Sequence, residues 1–182
     1  MFVFTIALIF IIFLLVLYLN LTSVKSYENI KTEMIKTAII KDAANRYKDA
    51  DIINIYEISK QQDKYLVKVR VTFNYSSPCP KRLELIYDYP SQHFTPKKPT
   101  WIVNDCNLCK FKSCKIIFEE EAIIASLNVN GTEDVRDFVL KTNAIPSVKH
   151  LNDIWIVKWS DTNQTYVVTL NQDGLLKGIK KI

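Results

Sequence analysis

Tyr65-Leu-Val-Lys-Val-Arg70-Val-Thr-Phe-Asn-Tyr75 is the stretch whose reading decides the fold. Tyr65, Val67, Val69, Val71, Phe73 and Tyr75 alternate with Leu66, Lys68, Arg70, Thr72 and Asn74. A period of two belongs to a strand with one face on a core and the other in water. Ser76-Ser-Pro-Cys-Pro80 interrupts it, and Leu83, Leu85, Tyr87 and Tyr89 then alternate with Glu84, Ile86 and Asp88. Upstream, Ile53 to Ile58 is a shorter strand joined through the polar turn Ser59-Lys-Gln-Gln-Asp63. Three strands with short polar connections predict an antiparallel meander.

Ahead of the meander, apolar residues fall at Ile30, Met34, Ile35, Ala38, Ile39, Ala43 and Tyr47. These are the i, i+4, i+8 rows of an amphipathic helix over Ser26 to Ala50. Glu28 with Lys31, Glu33 with Lys36 and Asp42 with Arg46 supply opposite charges three or four residues apart on its wet side. Packing on a sheet suits it better than lying on a membrane, because acids are mixed into the polar face.

The same grouping recurs downstream. Asn130-Gly131 makes a turn, Thr132 is an N-cap candidate with Glu133 and Asp134 behind it, and Val135, Phe138 and Val139 form an apolar stripe that ends before Pro146. Ile154 to Trp159, Tyr166 to Leu170 and Leu175 to Ile182 then read as strands, separated by Ser160 to Gln164 and Asn171-Gln-Asp-Gly174. Between the two groups, Phe118 to Leu127 fits a short helix or a strand edge. Glu119-Glu-Glu121 at its start reads as a solvated helix beginning, since consecutive carboxylates point in different directions and do not form a catalytic pair.

The first 19 residues, Met1 to Leu19, carry no charge, and 15 of them are Leu, Ile, Phe or Val. As a helix they would extend roughly 28 Å, close to the thickness of a bilayer's hydrocarbon core. A secretory signal peptide fits less well: the basic n-region and the A-x-A cleavage pattern are missing, and Tyr18 stands where an interface aromatic belongs. Residues 1–21 are therefore expected to hold the chain in a lipid bilayer as a single-pass anchor. Orientation is in conflict. Lys25, Lys31, Lys36 and Lys41 on the C-terminal side favour a cytoplasmic domain by the positive-inside rule. Four cysteines in a small domain favour an oxidising compartment, and the sequons at Asn20, Asn74, Asn130 and Asn163 lean the same way. The extracytoplasmic side is the expected one.

Roughly 160 residues beyond the anchor suffice for a real core, and three Gly and six Pro among plentiful aromatics argue against disorder. A net charge of +5, spread as Lys among Asp and Glu, does not suggest nucleic-acid binding.

Cys79, Cys106, Cys109 and Cys114 fall between the two groups of elements. In an oxidising compartment they are expected to form two disulfides, in one of three connectivities that spacing does not separate. A four-thiolate zinc site on a cytoplasmic-facing domain, with Cys106-x-x-Cys109 as its knuckle, is the second reading. A thiol-disulfide oxidoreductase using Cys106 and Cys109, with Lys110, Lys112 and Lys115 lowering the thiol pKa, is the third. No metal or other cofactor is expected in the favoured reading.

Pro90 to Trp101 contains three prolines together with His93, Phe94, Lys97, Lys98 and Trp101, a loop whose aromatics are expected to tuck it against the sheet, with aromatic and basic contacts to a protein or peptide partner as the second reading. His93 and His150 have no nucleophile motif beside them, and no G-x-S-x-G, P-loop or H-E-x-x-H occurs, so an enzyme is not expected.

Tyr166-Val-Val-Thr-Leu170-Asn171, Gly174 and Leu175-Leu176, preceded by a helix and a Trp-rich strand, resemble the closing hairpin of the PepSY family over about 50 residues. The hairpin is one residue shorter than usual between Asn171 and Gly174. The resemblance implies a small α+β module of secreted or membrane-anchored proteins that inhibits or chaperones peptidases or senses ligands, with no catalytic residues to carry over. The expected architecture is α+β: an anchor at 1–21, a first helix-plus-antiparallel-sheet unit at 22–100, a cysteine-bearing connector at 101–131 and a second, cystatin-like or PepSY-like unit at 132–182. The expected role is a non-enzymatic, membrane-anchored interaction module.

Overall fold

The computed structural model describes residues 13–15, 17–18, 31–62, 64–90, 96–110 and 113–182. The chain forms two compact units, Met1–Ala43 and Ala44–Ile182. Most of the expected anchor lies outside the described residues; residues 13–15 and 17–18 are helical and exposed. Among the described residues no helix is long and apolar enough to cross a membrane.

Helix α1 covers residues 31–46. Its buried stripe is Ile35, Ile39 and Ala43, the expected i, i+4, i+8 row, but Met34 stays exposed. Lys36 pairs with Glu33 at 2.6 Å on the wet side.

The larger unit holds two four-stranded antiparallel sheets, each a plain meander in chain order. The first consists of β1 (Ile52–Gln61), β2 (Lys64–Phe73), β3 (Lys81–Tyr89) and β4 (Thr100–Val103). Three strands were expected; β4 is the addition, a four-residue edge strand that pairs Trp101 with Leu83 and Thr100 with Glu84. Tyr65, Val67, Val69 and Val71 of β2 and Leu83, Leu85 and Tyr87 of β3 are buried on one face, as the period of two predicts.

The second sheet consists of β5 (Ile145–Leu151), β6 (Ile154–Ser160), β7 (Thr165–Asn171) and β8 (Leu176–Lys181). Here too a strand exceeds expectation. Strand β5 contains Pro146, which an edge strand tolerates because its missing N–H costs the sheet no interior bond. Asn152, at φ 53, makes the tight turn into β6.

Helices α2 (Glu119–Asn128) and α3 (Glu133–Thr142) cover one face of the second sheet. Their Ala122, Ile123, Ala125, Leu127, Val135, Phe138 and Val139 share one core with Trp155, Val157, Trp159, Val168 and Leu170. The Trp159 indole N–H donates to Ser126 Oγ at 2.9 Å, and Ser126 donates in turn to the Ile123 carbonyl. This polar relay satisfies the largest buried side chain. Thr132 is the residue before α3, but its hydroxyl donates back to the Val129 carbonyl at 2.8 Å instead of capping the helix.

Candidate functional site

The segment from Cys79 to Cys114 is stapled twice. Cys79, in the turn after β2, is bridged to Cys106 after β4, with Cα atoms 5.2 Å apart. Cys109 is bridged to Cys114 at 5.1 Å. The two bridges are the expected ones in number, and Cys106 and Cys109 fall in different disulfides, so the third reading, a redox pair of these two, is not the pairing found. All four sulfurs are bonded to sulfur, so the zinc reading has no thiolate ligand left. Among the described residues no group of three or more His, Cys, Asp or Glu could hold a metal ion.

The second staple is seated on the β7–β8 turn. The Cys114 N–H donates to the Asp173 carbonyl at 3.2 Å and the Ile116 N–H to that of Gln172 at 2.8 Å. Gly174, at φ +72, faces the bridge so closely that a Cβ would lie 3.0 Å from Cys114 Sγ. Only glycine meets both conditions. The Asn128 side-chain amide, at the end of α2, ties down the carbonyls of Cys106 and Leu108.

Of the candidate partner-binding loop, His93 and Phe94 lie outside the described residues. Lys97 reaches Asp88 at 3.2 Å, and its N–H donates to the Ile86 carbonyl at 2.8 Å. Lys98 is exposed. Trp101 lies in β4, 49% exposed, with its ring 5.7 Å from that of Phe73; its neighbour Ile102 is 46% exposed. Lys97, Lys98, Trp101 and Ile102 therefore sit along one short run that ends in an edge strand whose outer side pairs with no strand among the described residues. His150 is exposed and stacks on Trp155 at 4.1 Å, a packing role.

Sequence reasoning missed a buried ionic cluster. Glu119-Glu-Glu121, expected in water, turns inward: Glu120 is fully buried and Glu121 nearly so. They meet Arg70 of β2 and Arg82 of β3, each 4% exposed, on the sheet face that alternation assigns to solvent. Arg70 Nε lies 2.8 Å from Glu120 and Arg70 Nη2 lies 2.5 Å from Glu119. Arg82 grips Glu121 with both terminal nitrogens, one at 2.8 Å. Thr72 also hydrogen-bonds Glu120, and Tyr56 hydrogen-bonds Glu84. Phe118 is stacked by both guanidinium groups, at 4.9 and 4.5 Å.

Glu121 also accepts the Phe118 N–H at 3.0 Å, the return half of a capping box whose other half Phe118 has no side-chain acceptor to supply. Burial raises the Glu121 pKa above its ordinary 4.5 against the opposing pull of Arg82. Tyr75 is raised as well, by burial first and by the neighbouring Glu119 second.

A signal for the cluster was present in the sequence. Ala122-Ile-Ile-Ala125 follows the three acids with no polar face, and a helix apolar on all sides is buried along with its first turn.

No family model and no curated protein matches the chain. Among solved structures it is similar to a putative lipoprotein from Clostridium difficile 630, at 13% identity and a TM-score of 0.32, over 80% of this chain and 91% of that one. Overlap at that score supports no inference about fold or function.

Proposed function

We propose that the chain is a membrane-anchored, extracytoplasmic interaction module that binds a protein or peptide partner and catalyses no reaction. The observation that carries this reading is the pairing of all four cysteines. Two disulfides in a small domain persist where thiols are oxidised and are lost where glutathione keeps them reduced. The uncharged run Met1 to Leu19 supplies the anchor. Exposed Asn74, Asn130 and Asn163 fit the same side of the membrane.

The run from Lys97 to Ile102 supplies the contact surface. An aromatic and an aliphatic side chain on an edge strand suit an extended peptide, which would add a strand to β4 and insert side chains beside Trp101. A PepSY-like role in restraining or chaperoning a peptidase falls within this class, since an extended segment of the peptidase would be the peptide bound.

The test is thiol accessibility in intact cells. After mild reduction, a membrane-impermeant maleimide added outside is expected to label all four cysteines, and without reductant none. Labelling only after the membrane is permeabilised would place the domain inside and overturn the reading.

A further inference from the structure

One face of the second sheet packs under α2 and α3; on the other, side chains are exposed or half-buried, and among the described residues its strands place no carboxylate there. Reading across the strands, one row is Ser147, Lys158, Val167 and Lys180, and the next is Lys149, Ile156, Thr169 and Gly178. Lys149, Lys158 and Lys180 are all exposed, and none forms an ion pair among the described residues.

With strands about 4.8 Å apart and about 3.4 Å per residue, the backbone of Lys158 lies roughly 8 Å from that of Lys149 and roughly 10 Å from that of Lys180, while Lys149 and Lys180, three strands apart, are separated by roughly 16 Å. Lys158 stands between the other two, so the three ammonium groups spread one sign of charge across the face and present it to an extended anionic surface. Exposed apolar residues stand at either end of the face: Ile145 at one, Leu151 and Ile154 at the other. The acids nearest in sequence, Asp153, Asp161 and Asp173, lie in the connecting turns and not in the strands.

We propose that this face of β5–β8 docks on an anionic phospholipid surface, with Lys149, Lys158 and Lys180 over lipid phosphates and the flanking Ile and Leu side chains at the headgroup boundary. Charge complementarity and the apolar ends select a lipid surface: an open sheet face bears on a plane of headgroups, and each lysine finds its own phosphate there. The inference rests on the anchor reading, because an anchor on the same chain holds the sheet at high effective concentration near lipid.

The experiment uses the full chain with both disulfides intact, mixed with vesicles of phosphatidylcholine alone or with added phosphatidylglycerol. Flotation on neutral vesicles reads the anchor. Acylation of individual lysines by a water-soluble ester, mapped by mass spectrometry, reads the face. With phosphatidylglycerol, Lys149, Lys158 and Lys180 are expected to react about fivefold more slowly, Lys68 and Lys81 to be unchanged, and the protection to vanish in high salt.

The K149Q/K158Q/K180Q variant, altered only at exposed positions, should keep its disulfide mass and float on neutral vesicles as before. Its remaining lysines should react at the same rate with and without phosphatidylglycerol. Flotation on neutral vesicles without lysine protection overturns the proposal and leaves the anchor standing. Protection with flotation only on anionic vesicles upholds the face and overturns the anchor. Protection by polyglutamate but not by phosphatidylglycerol assigns the face to an acidic protein and overturns the lipid proposal.

Discussion

Arg82 shows what a single side chain can hold in place. Its guanidinium, 4% exposed, satisfies both oxygens of Glu121 and stacks on Phe118. Removing one partner of a buried pair leaves the other charge desolvated, at a cost of ~3–5 kcal/mol. Arg82→Ala is expected to lower unfolding stability by that amount in urea melts followed by tryptophan fluorescence. Glu121 adds a pH dependence of definite sign. Its pKa is raised in the folded state, so the folded chain keeps the Glu121 proton to higher pH than the unfolded chain does. Its stabilising contribution is complete below 4.5 and is lost as pH rises through the raised value. Melts across that window should show stability falling with pH in the wild type and a flatter profile in Glu121→Gln; a steeper fall in the variant would refute the assignment.

At the scale of elements, β2 and α1 were legible because their apolar periods are long and uninterrupted. The two strands that were missed share a cause. β4 is only four residues long and follows a proline-rich run, and β5 contains Pro146, so neither offers enough alternation to outweigh its breakers. α2 could be read either way because an apolar helix without a polar face has no period to detect. The cysteines were legible as staples but not as pairs, because connectivity depends on the tertiary positions of Cys79 and the β7–β8 turn. The edge strand β4 also carries a prediction. Trp101 is half exposed, so Trp101→Ala should cost little stability beyond its contact with Phe73. An aromatic anchor in an interface is worth ~2 kcal/mol or more in binding. A photo-crosslinker at Lys98 should therefore capture the partner in the wild type and lose most of that yield in Trp101→Ala, while the melting temperature barely moves.

For the molecule as a whole, the two staples differ in what they constrain. Cys79–Cys106 spans a sequence separation of 27 and Cys109–Cys114 one of 5. In the chain-entropy account, closing the longer loop stabilises by about 3–4 kcal/mol and the shorter by about 2. The double variant C79S/C106S should accordingly lose more urea resistance than C109S/C114S, unless seating on Gly174 makes the shorter bridge the more important. Equal losses would point to that seating. The Arg–Glu cluster has a consequence of another kind. Helix α2 contributes its apolar length to the core of the second sheet and its acidic first turn to the back of the first. A chain cut between β4 and α2 would leave Arg70 and Arg82 buried without carboxylates on one fragment and three acids without cations on the other. Neither half is therefore expected to fold alone, and Ala44–Ile182 is expected to melt in one cooperative transition despite its two sheets, which coincident circular dichroism and tryptophan fluorescence melts would check. Amides in the centre of β2 and of β6 should exchange with solvent through the same global opening.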